Sequence, residues 1–192
     1  MAILAGLEHL HVRGIIHRDL KPANVLMQGD CPRIADFGLA CLMDPDALAS
    51  QTVGTPGYMA PEAFDGGRSV QTDLWSVGVI TYQLLTGMMP FPTGNLMRLI
   101  KSVVTDSPAP LPETLPQSLR QTVLRALEKH PDARFRSAAD MRAALRESLR
   151  QLDIQTRVLR GSISRGVRTV AVTGSMRADR GRTLTSVATL LE

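Results

Sequence analysis

The sequence predicts a mainly α-helical fold that carries one small β-hairpin. Several segments repeat apolar residues at helical spacing, and one of them, residues 72–87, is apolar nearly all round. Two short apolar runs, residues 25–27 and 33–35, lie on either side of a turn-forming stretch, which is typical of a hairpin. The hydrophobic content of 44% and the charged content of 21% are ordinary for a globular domain.

The predicted helices follow from these patterns in chain order. Residues 1–12 place apolar side chains at positions 3, 4, 7 and 10, and Gly14 ends the segment. A helix without a polar face is a buried helix, so residues 72–87 predict the centre of the core. Three further helices, all amphipathic, are predicted at residues 95–104, 119–127 and 138–152. The proline-rich residues 106–116 predict an extended connector between the first two of them.

Composition is that of a cytoplasmic protein without a membrane segment. No apolar run approaches the ~20 residues that a membrane-spanning helix needs. The first ten residues lack the basic start of a signal peptide. Cys31 and Cys41 match no zinc or redox spacing, and we expect both to be reduced, half-buried thiols.

The net charge of +4 lies in the C-terminal part of the chain. Residues 1–150 hold 15 basic and 15 acidic side chains, whereas residues 151–192 hold seven arginines and three acids. Such a spread of arginines fits either a solvated face or a surface for an anionic partner such as nucleic acid. Because the last predicted helix ends at residue 152, we divide the chain into a domain over residues 1–152 and a basic tail over residues 153–192, which is a linker or a truncated second domain.

The residues suited to chemistry lie between positions 17 and 38. Residues 17–24 read HRDLKPAN, and residues 36–38 read DFG. A carboxylate at Asp19 can orient and accept the proton of a hydroxyl, and an ammonium at Lys21 can offset charge on a phosphate. The predicted hairpin would bring together an amide oxygen at Asn24 and a carboxylate at Asp36, both of which suit magnesium. Groups of these kinds predict phosphoryl transfer.

At these residues the chain resembles the eukaryotic-type serine/threonine protein kinases, and the resemblance extends over about residues 1–150. It implies that Asp19 is the catalytic base, that Asn24 and Asp36 bind magnesium, and that Lys21 contacts the phosphates of ATP. The Lys-Pro dipeptide that begins at Lys21 is typical of the serine/threonine branch. The compact arrangement with short connections is more similar to the bacterial members of the family.

Residues 54–62 read GTPGYMAPE and resemble the substrate-binding loop of the same family. By this resemblance Thr55 would hydrogen-bond the catalytic acid and the phosphate-binding lysine. Glu62 would need a cationic partner if it is buried, and Arg134 lies where the family places that partner.

Residues 39–53 are small, polar and acidic without periodicity, which predicts a loop. The resemblance identifies this loop as an activation segment. It implies that Arg18 binds a phosphate on Thr52 or, failing that, on Ser50. The alternative is that both hydroxyls are unmodified loop residues.

Asp73, near the start of the predicted helix 72–87, has two interpretations. It is an N-terminal acid that favours the helix dipole, or it is the family's buried acid that holds the backbone around His17. We favour the second interpretation because residues 73–78, DLWSVG, resemble the family pattern.

The resemblance implies transfer of the γ-phosphate of ATP to serine or threonine hydroxyls of protein substrates, with ATP and Mg²⁺ as cofactors. It also implies that the sequence begins inside a kinase domain, so we expect a kinase-like C-terminal lobe whose N-terminal β lobe is absent. No glycine-rich loop or strand lysine precedes the catalytic loop in these residues, which leaves the activity of this fragment open. The alternative is a catalytically inactive remnant that binds a partner protein.

Overall fold

A computed structural model describes residues 2–42 and 54–151 of the chain. The described residues are mostly helical, as predicted. The five α-helices in these ranges are α1 (Ala2–His11), α2 (Val70–Thr86), α3 (Leu96–Thr105), α4 (Gln117–Ala126) and α5 (residues 138–151). The strands are β1 (Ile15–Ile16), β2 (Val25–Gln28), β3 (Cys31–Ile34) and β4 (Cys41–Leu42).

Helix α1 forms where the apolar spacing predicts it. Ile3, Leu4 and Leu7 are buried on one face of the helix. The chain leaves the helix through Gly14, which has a φ of 71° in the left-handed region that favours glycine.

The predicted hairpin is confirmed as the antiparallel pair β2–β3. Val25 pairs with Ile34, and Gln28 pairs with Cys31. The connecting turn is therefore only two residues long, shorter than predicted, and it begins with Gly29 at a φ of 61°. Just beyond the open end of the hairpin, the backbone N–H of Ala35 donates to the carbonyl of Asn24 over 2.9 Å. This bond holds the segment before Asp36 beside Asn24.

The sequence did not predict the second sheet, which pairs β1 with β4. Ile15 lies opposite Leu42, and Ile16 lies opposite Cys41. Strands of two residues show no alternation, so their pairing depends on tertiary contacts alone. Because residues 17–24 follow β1 and residues 36–38 precede β4, this sheet brings the two chemistry-bearing segments to the same part of the molecule.

Helix α2 is the centre of the core. Twelve of its 17 residues are buried, and Trp75 is fully buried. Gly78 allows the close approach of α4, since a Cβ at this position would lie 2.8 Å from the Cβ of Ala126. Gly87 ends the helix with a φ of 73°, and its N–H donates to the carbonyl of Gln83.

Helices α3, α4 and α5 form within two residues of their predicted bounds. Asn95 caps α3 by accepting the N–H of Arg98 over 3.1 Å. The proline-rich segment between α3 and α4 contains neither helix nor strand, as predicted. On α5, Ala138, Met141 and Leu145 are buried along one stripe.

The expectation of a half-buried Cys31 was wrong. Cys31 is a free thiol, and it is exposed because it begins β3 directly after the hairpin turn. The side chain of Cys41, the candidate phosphosites Ser50 and Thr52, and the tail over residues 153–192 lie outside the described residues. Within the described ranges, no helix combines the length and the apolar character that a membrane crossing requires.

Candidate active site

Asp19 is the centre of the site, and four donors surround its carboxylate. Its Oδ1 accepts from the backbone N–H of Thr55 over 2.9 Å and from the Thr55 hydroxyl over 2.8 Å. Its Oδ2 accepts from Nζ of Lys21 over 2.6 Å and from Nδ2 of Asn24 over 3.2 Å. Lys21 also donates to the Thr55 hydroxyl over 2.9 Å, so the acid, the cation and the hydroxyl form a closed triangle.

The environment of Asp19 keeps its side chain ionised. Asp19 is only 7% exposed, and burial alone would raise its pKa. The hydrogen bonds from Lys21 and Thr55, together with the Lys21 charge, outweigh this effect and lower the pKa below its ordinary value of 3.8. A carboxylate in this state is a weak base but a permanent hydrogen-bond acceptor at neutral pH.

Asn24 is fixed with its amide nitrogen toward Asp19. The 3₁₀ turn Pro22–Asn24 carries it back toward Asp19, and its Nδ2 donates to the Asp19 carbonyl over 2.8 Å. Both bonds to Asp19 use the amide nitrogen of Asn24. Its amide oxygen is therefore available to bind a cation.

Asp36 lies next to Asn24 because of the bond between Ala35 and Asn24 at the end of the hairpin. Its side chain is exposed, and one carboxylate oxygen accepts the N–H of Gly38 over 3.3 Å. An amide oxygen and a carboxylate from neighbouring segments are hard donors that suit Mg²⁺, which commonly uses one or two carboxylates together with phosphate oxygens. The described residues contain no cluster of three or more His, Cys, Asp or Glu side chains that would form an all-protein metal cage.

Asp73 holds the backbone that precedes Asp19. Its Oδ2 accepts the N–H of His17 over 2.9 Å, and its Oδ1 accepts the N–H of Arg18 over 3.0 Å. Arg18 has a φ of 72°, which is uncommon for a residue with a side chain. The contacts match the second interpretation of Asp73, because its oxygens face the loop around His17.

His17 joins the two chemistry-bearing segments. Its Nε2 lies 3.1 Å from the carbonyl of Ala35, and its ring meets Phe37 edge-on at a centroid distance of 5.3 Å. Asp36, between these two contacts, has a φ of 61°. The buried histidine therefore fixes the backbone on both sides of Asp36.

The loop that carries Thr55 is anchored on both sides. Gly54 has a φ of 136°, and a Cβ there would lie 3.1 Å from the carbonyl of Arg18, so this loop approaches residues 17–24 closely. On the other side, the Tyr58 hydroxyl donates to Gln83 and the Ser76 hydroxyl donates to the Tyr58 carbonyl, each over 2.8 Å.

Glu62 and Arg134 form a bidentate ion pair at the end of this loop. Nη1 and Nη2 of Arg134 donate to the two carboxylate oxygens of Glu62 over 2.6 and 2.7 Å. Arg134 is 1% exposed, and its remaining donors bind the carbonyls of Glu128, Lys129 and Gln71. The guanidinium also lies 4.9 Å from the centre of the Trp75 ring.

The structure thus brings the predicted site residues into two groups. Asp19, Lys21, Asn24, Thr55 and Asp36 lie around one centre, while His17, Asp73, Glu62 and Arg134 support the backbone around it. The expected contact of Arg18 with Ser50 or Thr52 remains a prediction, because both hydroxyls lie outside the described residues. Sequence reasoning missed two residues, His11 and Lys129, which have no local pattern that distinguishes them from surface residues.

Lys129 is a partly buried cation beside the rings of Trp75 and Phe91. Its Nζ donates to the carbonyl of Val103 over 2.6 Å and lies 4.3 Å from the centre of the Phe91 ring. Burial and the nearby Arg134 charge outweigh the acidic side chains of Asp106 and Glu128, and the pKa of Lys129 falls from 10.5 to about 8.

This shift predicts that stability rises with pH above about 8. Between about pH 8 and pH 10.5 the unfolded chain keeps a proton that folded Lys129 has lost, so the free energy of unfolding increases with pH. We expect the wild type to gain on the order of 1 kcal/mol over Lys129→Met between about pH 7.5 and 9.5, measured by urea unfolding. Lys101→Met, which removes an exposed lysine on α3, is the control and should show no such gain. Equal pH profiles for the wild type and Lys129→Met would contradict the prediction.

The chain is similar to known proteins over the residues that contain this site. A family model described as protein kinase domain matches residues 1–146. The chain is 41% identical over 156 residues to the serine/threonine-protein kinase Pkn1 of Myxococcus xanthus, which covers 75% of this chain and 22% of that protein. It is 38% identical over 145 residues to the calcium/calmodulin-dependent protein kinase cmkB of Emericella nidulans, which covers 70% of this chain and 36% of that protein.

A plant relative shows a similar degree of likeness. The CBL-interacting serine/threonine-protein kinase 20 of Arabidopsis thaliana is 35% identical over 144 residues, covering 70% of this chain and 32% of that protein. The chain therefore spans between 22% and 36% of the length of these three relatives.

Proposed function

The chain belongs to the protein kinase family, and from this membership we propose that it transfers the γ-phosphoryl group of ATP to serine or threonine hydroxyls of proteins. We further propose that residues 1–152 are the C-terminal lobe of the kinase domain. The observation that carries the proposal is the triangle of Asp19, Lys21 and Thr55, in which an ionised acid, a cation and a loop hydroxyl lie within hydrogen-bond distance of one another.

Asp19 orients the acceptor hydroxyl in this mechanism. A carboxylate with a lowered pKa is too weak a base to remove a proton from a free alcohol before reaction, but it accepts a hydrogen bond and receives the proton late in the transfer. The hydroxyl oxygen forms a bond to the γ-phosphorus, the bond to the β-phosphate oxygen breaks, and ADP leaves with that electron pair.

Lys21 has two positions in this mechanism. The four donors around Asp19 match the roughly four lone-pair sites of a carboxylate, so an incoming hydroxyl must displace one of them. The Lys21 side chain is 25% exposed, whereas Thr55 also donates its backbone N–H to Asp19 and the Asn24 amide also donates to the Asp19 backbone carbonyl. Lys21 therefore yields its place and donates to the transferred phosphate.

Asn24 and Asp36 would hold the magnesium that accompanies ATP. When bound, the ion supplies positive charge to the phosphate oxygens. The exposed position of Asp36 supports this assignment, and so does the amide oxygen of Asn24, which takes no part in the bonds from Asn24 to Asp19. Through that ion, Asn24 and Asp36 would hold the phosphates of ATP close to Asp19.

Two further assignments concern specificity and regulation. Serine and threonine as acceptors are supported by the Lys-Pro dipeptide at Lys21 and by the fact that two of the relatives above are serine/threonine-protein kinases. A phosphate on Thr52 or Ser50 that pairs with Arg18 stays a proposal, as does an anionic partner for residues 153–192. The alternative of an inactive remnant is not favoured, because the groups that phosphoryl transfer needs lie together around Asp19.

Phosphate incorporation tests the proposal. The 192-residue chain, incubated with ATP, Mg²⁺ and a protein acceptor, should form phosphoserine or phosphothreonine. Thr55→Val, which keeps the shape but removes the hydroxyl that binds Lys21 and Asp19, should lower the rate about tenfold, while Thr55→Ser should stay close to the wild type. Incorporation no greater than in a reaction without the chain would reject the proposed activity and leave the partner-binding alternative.

A further inference from the structure

The apolar side of helix α3 is wider than the part of the helix that is buried. At about 100° per residue, its apolar side chains form one continuous arc, about half of the helix circumference. Leu99 and Val103 in this arc are buried, whereas Met97 is 73% and Val104 is 45% exposed. Leu96 is exposed as well. Adjoining apolar side chains left open on one helix are typical of a surface that binds another protein.

Two cations lie along the edge of this apolar arc. Lys101 is one turn beyond Met97, and Arg98 is three residues before Lys101, so the two cations adjoin each other on the exposed side of the helix. Neither side chain makes a hydrogen bond or an ion pair in the part of the chain that the structure describes. The helix contains no acid, and Asp106, which follows it, accepts the Thr105 hydroxyl over 2.8 Å. The excess of positive charge favours a partner with carboxylates.

Helix α3 lies beside the loop that carries Thr55. It packs against the turns Pro56–Tyr58 and Pro61–Asp65, and the Thr55 hydroxyl binds Asp19. Since a helix is roughly 10 Å across, a segment bound on the exposed face lies about one helix diameter from this loop. A linker of about ten residues spans up to about 33 Å, so the same partner can also present a hydroxyl to Asp19.

We propose that the exposed face of α3 is a docking surface for protein substrates that carry a short acidic, amphipathic segment apart from the hydroxyl that is phosphorylated. Apolar side chains of the segment pack against Met97 and Val104, and its carboxylates pair with Arg98 and Lys101. The kinetic consequence rests on the function proposed above, whereas binding of the segment does not. The two are therefore measured separately on the 192-residue chain.

Fluorescence anisotropy measures binding to three synthetic peptides without any need for activity. The first is about 15 residues long, enough for a marginally stable helix, with leucines on one face and glutamates beside them. Glutamines replace the glutamates in the second peptide, and lysines replace them in the third. We expect the wild type to bind the glutamate peptide about tenfold more tightly than the glutamine peptide at about 20 mM salt, with a smaller preference at about 300 mM.

Variants of α3 separate charge from apolar contact. The charge-reversed variant Arg98→Glu/Lys101→Glu should bind the lysine peptide more tightly than the glutamate peptide, a gain that unfolding cannot produce. Met97→Ser should weaken binding of the glutamate peptide about fivefold at both salt concentrations. Arg136→Glu/Arg146→Glu is the matched control, because it makes the same charge change at exposed residues outside α3 and should keep the wild-type preference.

Four results would overturn the proposal. Two of them are equal binding of the glutamate and glutamine peptides by the wild type, and a preference that the control variant loses as fully as the charge-reversed variant. Binding of the glutamate peptide only after Asp44→Asn/Asp46→Asn would identify the chain's own residues 43–53 as the occupant. Self-association of the wild type that the charge-reversed variant abolishes would identify a second copy of the chain instead.

Steady-state kinetics measure the consequence for phosphoryl transfer. One acceptor peptide carries a serine joined through about ten residues to the glutamate segment, and a second acceptor lacks the segment. We expect the charge-reversed variant to raise the KM for the linked acceptor about tenfold, with kcat and the KM for the unlinked acceptor unchanged. An equal rise in KM for both acceptors would contradict docking on α3. If the wild type phosphorylates neither acceptor, the proposed function fails, while the anisotropy result still decides whether α3 binds an acidic segment.

Discussion

Replacing Asp19 with asparagine should lower the rate of phosphate transfer by about 10²- to 10⁴-fold, the usual contribution of a positioned general base. Asparagine keeps the shape of the side chain but removes the charge that binds Lys21 over 2.6 Å. It also places an NH₂ group or a neutral oxygen against donors from Thr55 and Asn24. Initial rates of incorporation into a protein acceptor, at saturating ATP, measure this effect.

The matched control for this variant is Asp30→Asn, which removes an exposed acid from the hairpin turn and should leave the rate unchanged. The pH profile provides a second check. Because the pKa of Asp19 is lowered below 3.8, its protonation should not reduce activity between about pH 8 and pH 5. An Asp19→Asn variant that keeps more than about a tenth of the wild-type rate would show that another group accepts the proton.

Replacing Glu62 with alanine should destabilise the fold by about 3–5 kcal/mol. The change leaves the guanidinium of Arg134 in the interior without its counter-charge, and an uncompensated buried charge is far more costly than a broken surface pair. Three backbone carbonyls still bind Arg134, which favours the lower end of this range. The free energy of unfolding in urea measures the loss.

Glu147→Ala is the matched control, because Glu147 pairs with Arg150 over 3.2 Å on the exposed face of α5 and should contribute at most about 1 kcal/mol. The double variant Glu62→Leu/Arg134→Met removes both buried charges together. It should recover much of the stability that Glu62→Ala loses, since a well-packed apolar pair can replace a buried ion pair. Equal destabilisation by Glu62→Ala and Glu147→Ala would show that the buried ion pair of Glu62 and Arg134 contributes no more to stability than an exposed pair.

Local patterns in the sequence were sufficient for most helices and for the hairpin. The buried helix α2 follows from a segment without a polar face, and β2–β3 follows from two apolar runs around Gly29. Strands β1 and β4 were missed, because each is two residues long and gains its hydrogen bonds only from the other. The exposure of Cys31 was misjudged for a related reason, since composition does not tell which residue of a hairpin lies next to its turn.

The site divides in the same way. Asp19, Lys21, Asn24 and Asp36 were identified from their chemical types and from their spacing within twenty residues of the chain. The contacts of Thr55 with Asp19 and of Glu62 with Arg134 span 36 and 72 residues, and they were expected only through the resemblance to a family. His11 and Lys129 were missed altogether. His11 ends the amphipathic helix α1 and Lys129 follows the amphipathic helix α4, and in the sequence such positions are typical of surface residues.

The sequence by itself determined which groups are available for phosphoryl transfer and which segments form helices, because side-chain chemistry and apolar periodicity are properties of neighbouring residues. Only the tertiary structure decided how those groups face one another. The left-handed backbone at Arg18 and Asp36, the direction of the Asn24 amide and the bond from His11 to Asp73 depend on segments that are distant in the chain. Such contacts form only when helices and loops pack together, since burial determines which polar groups must find a partner and how strongly they interact.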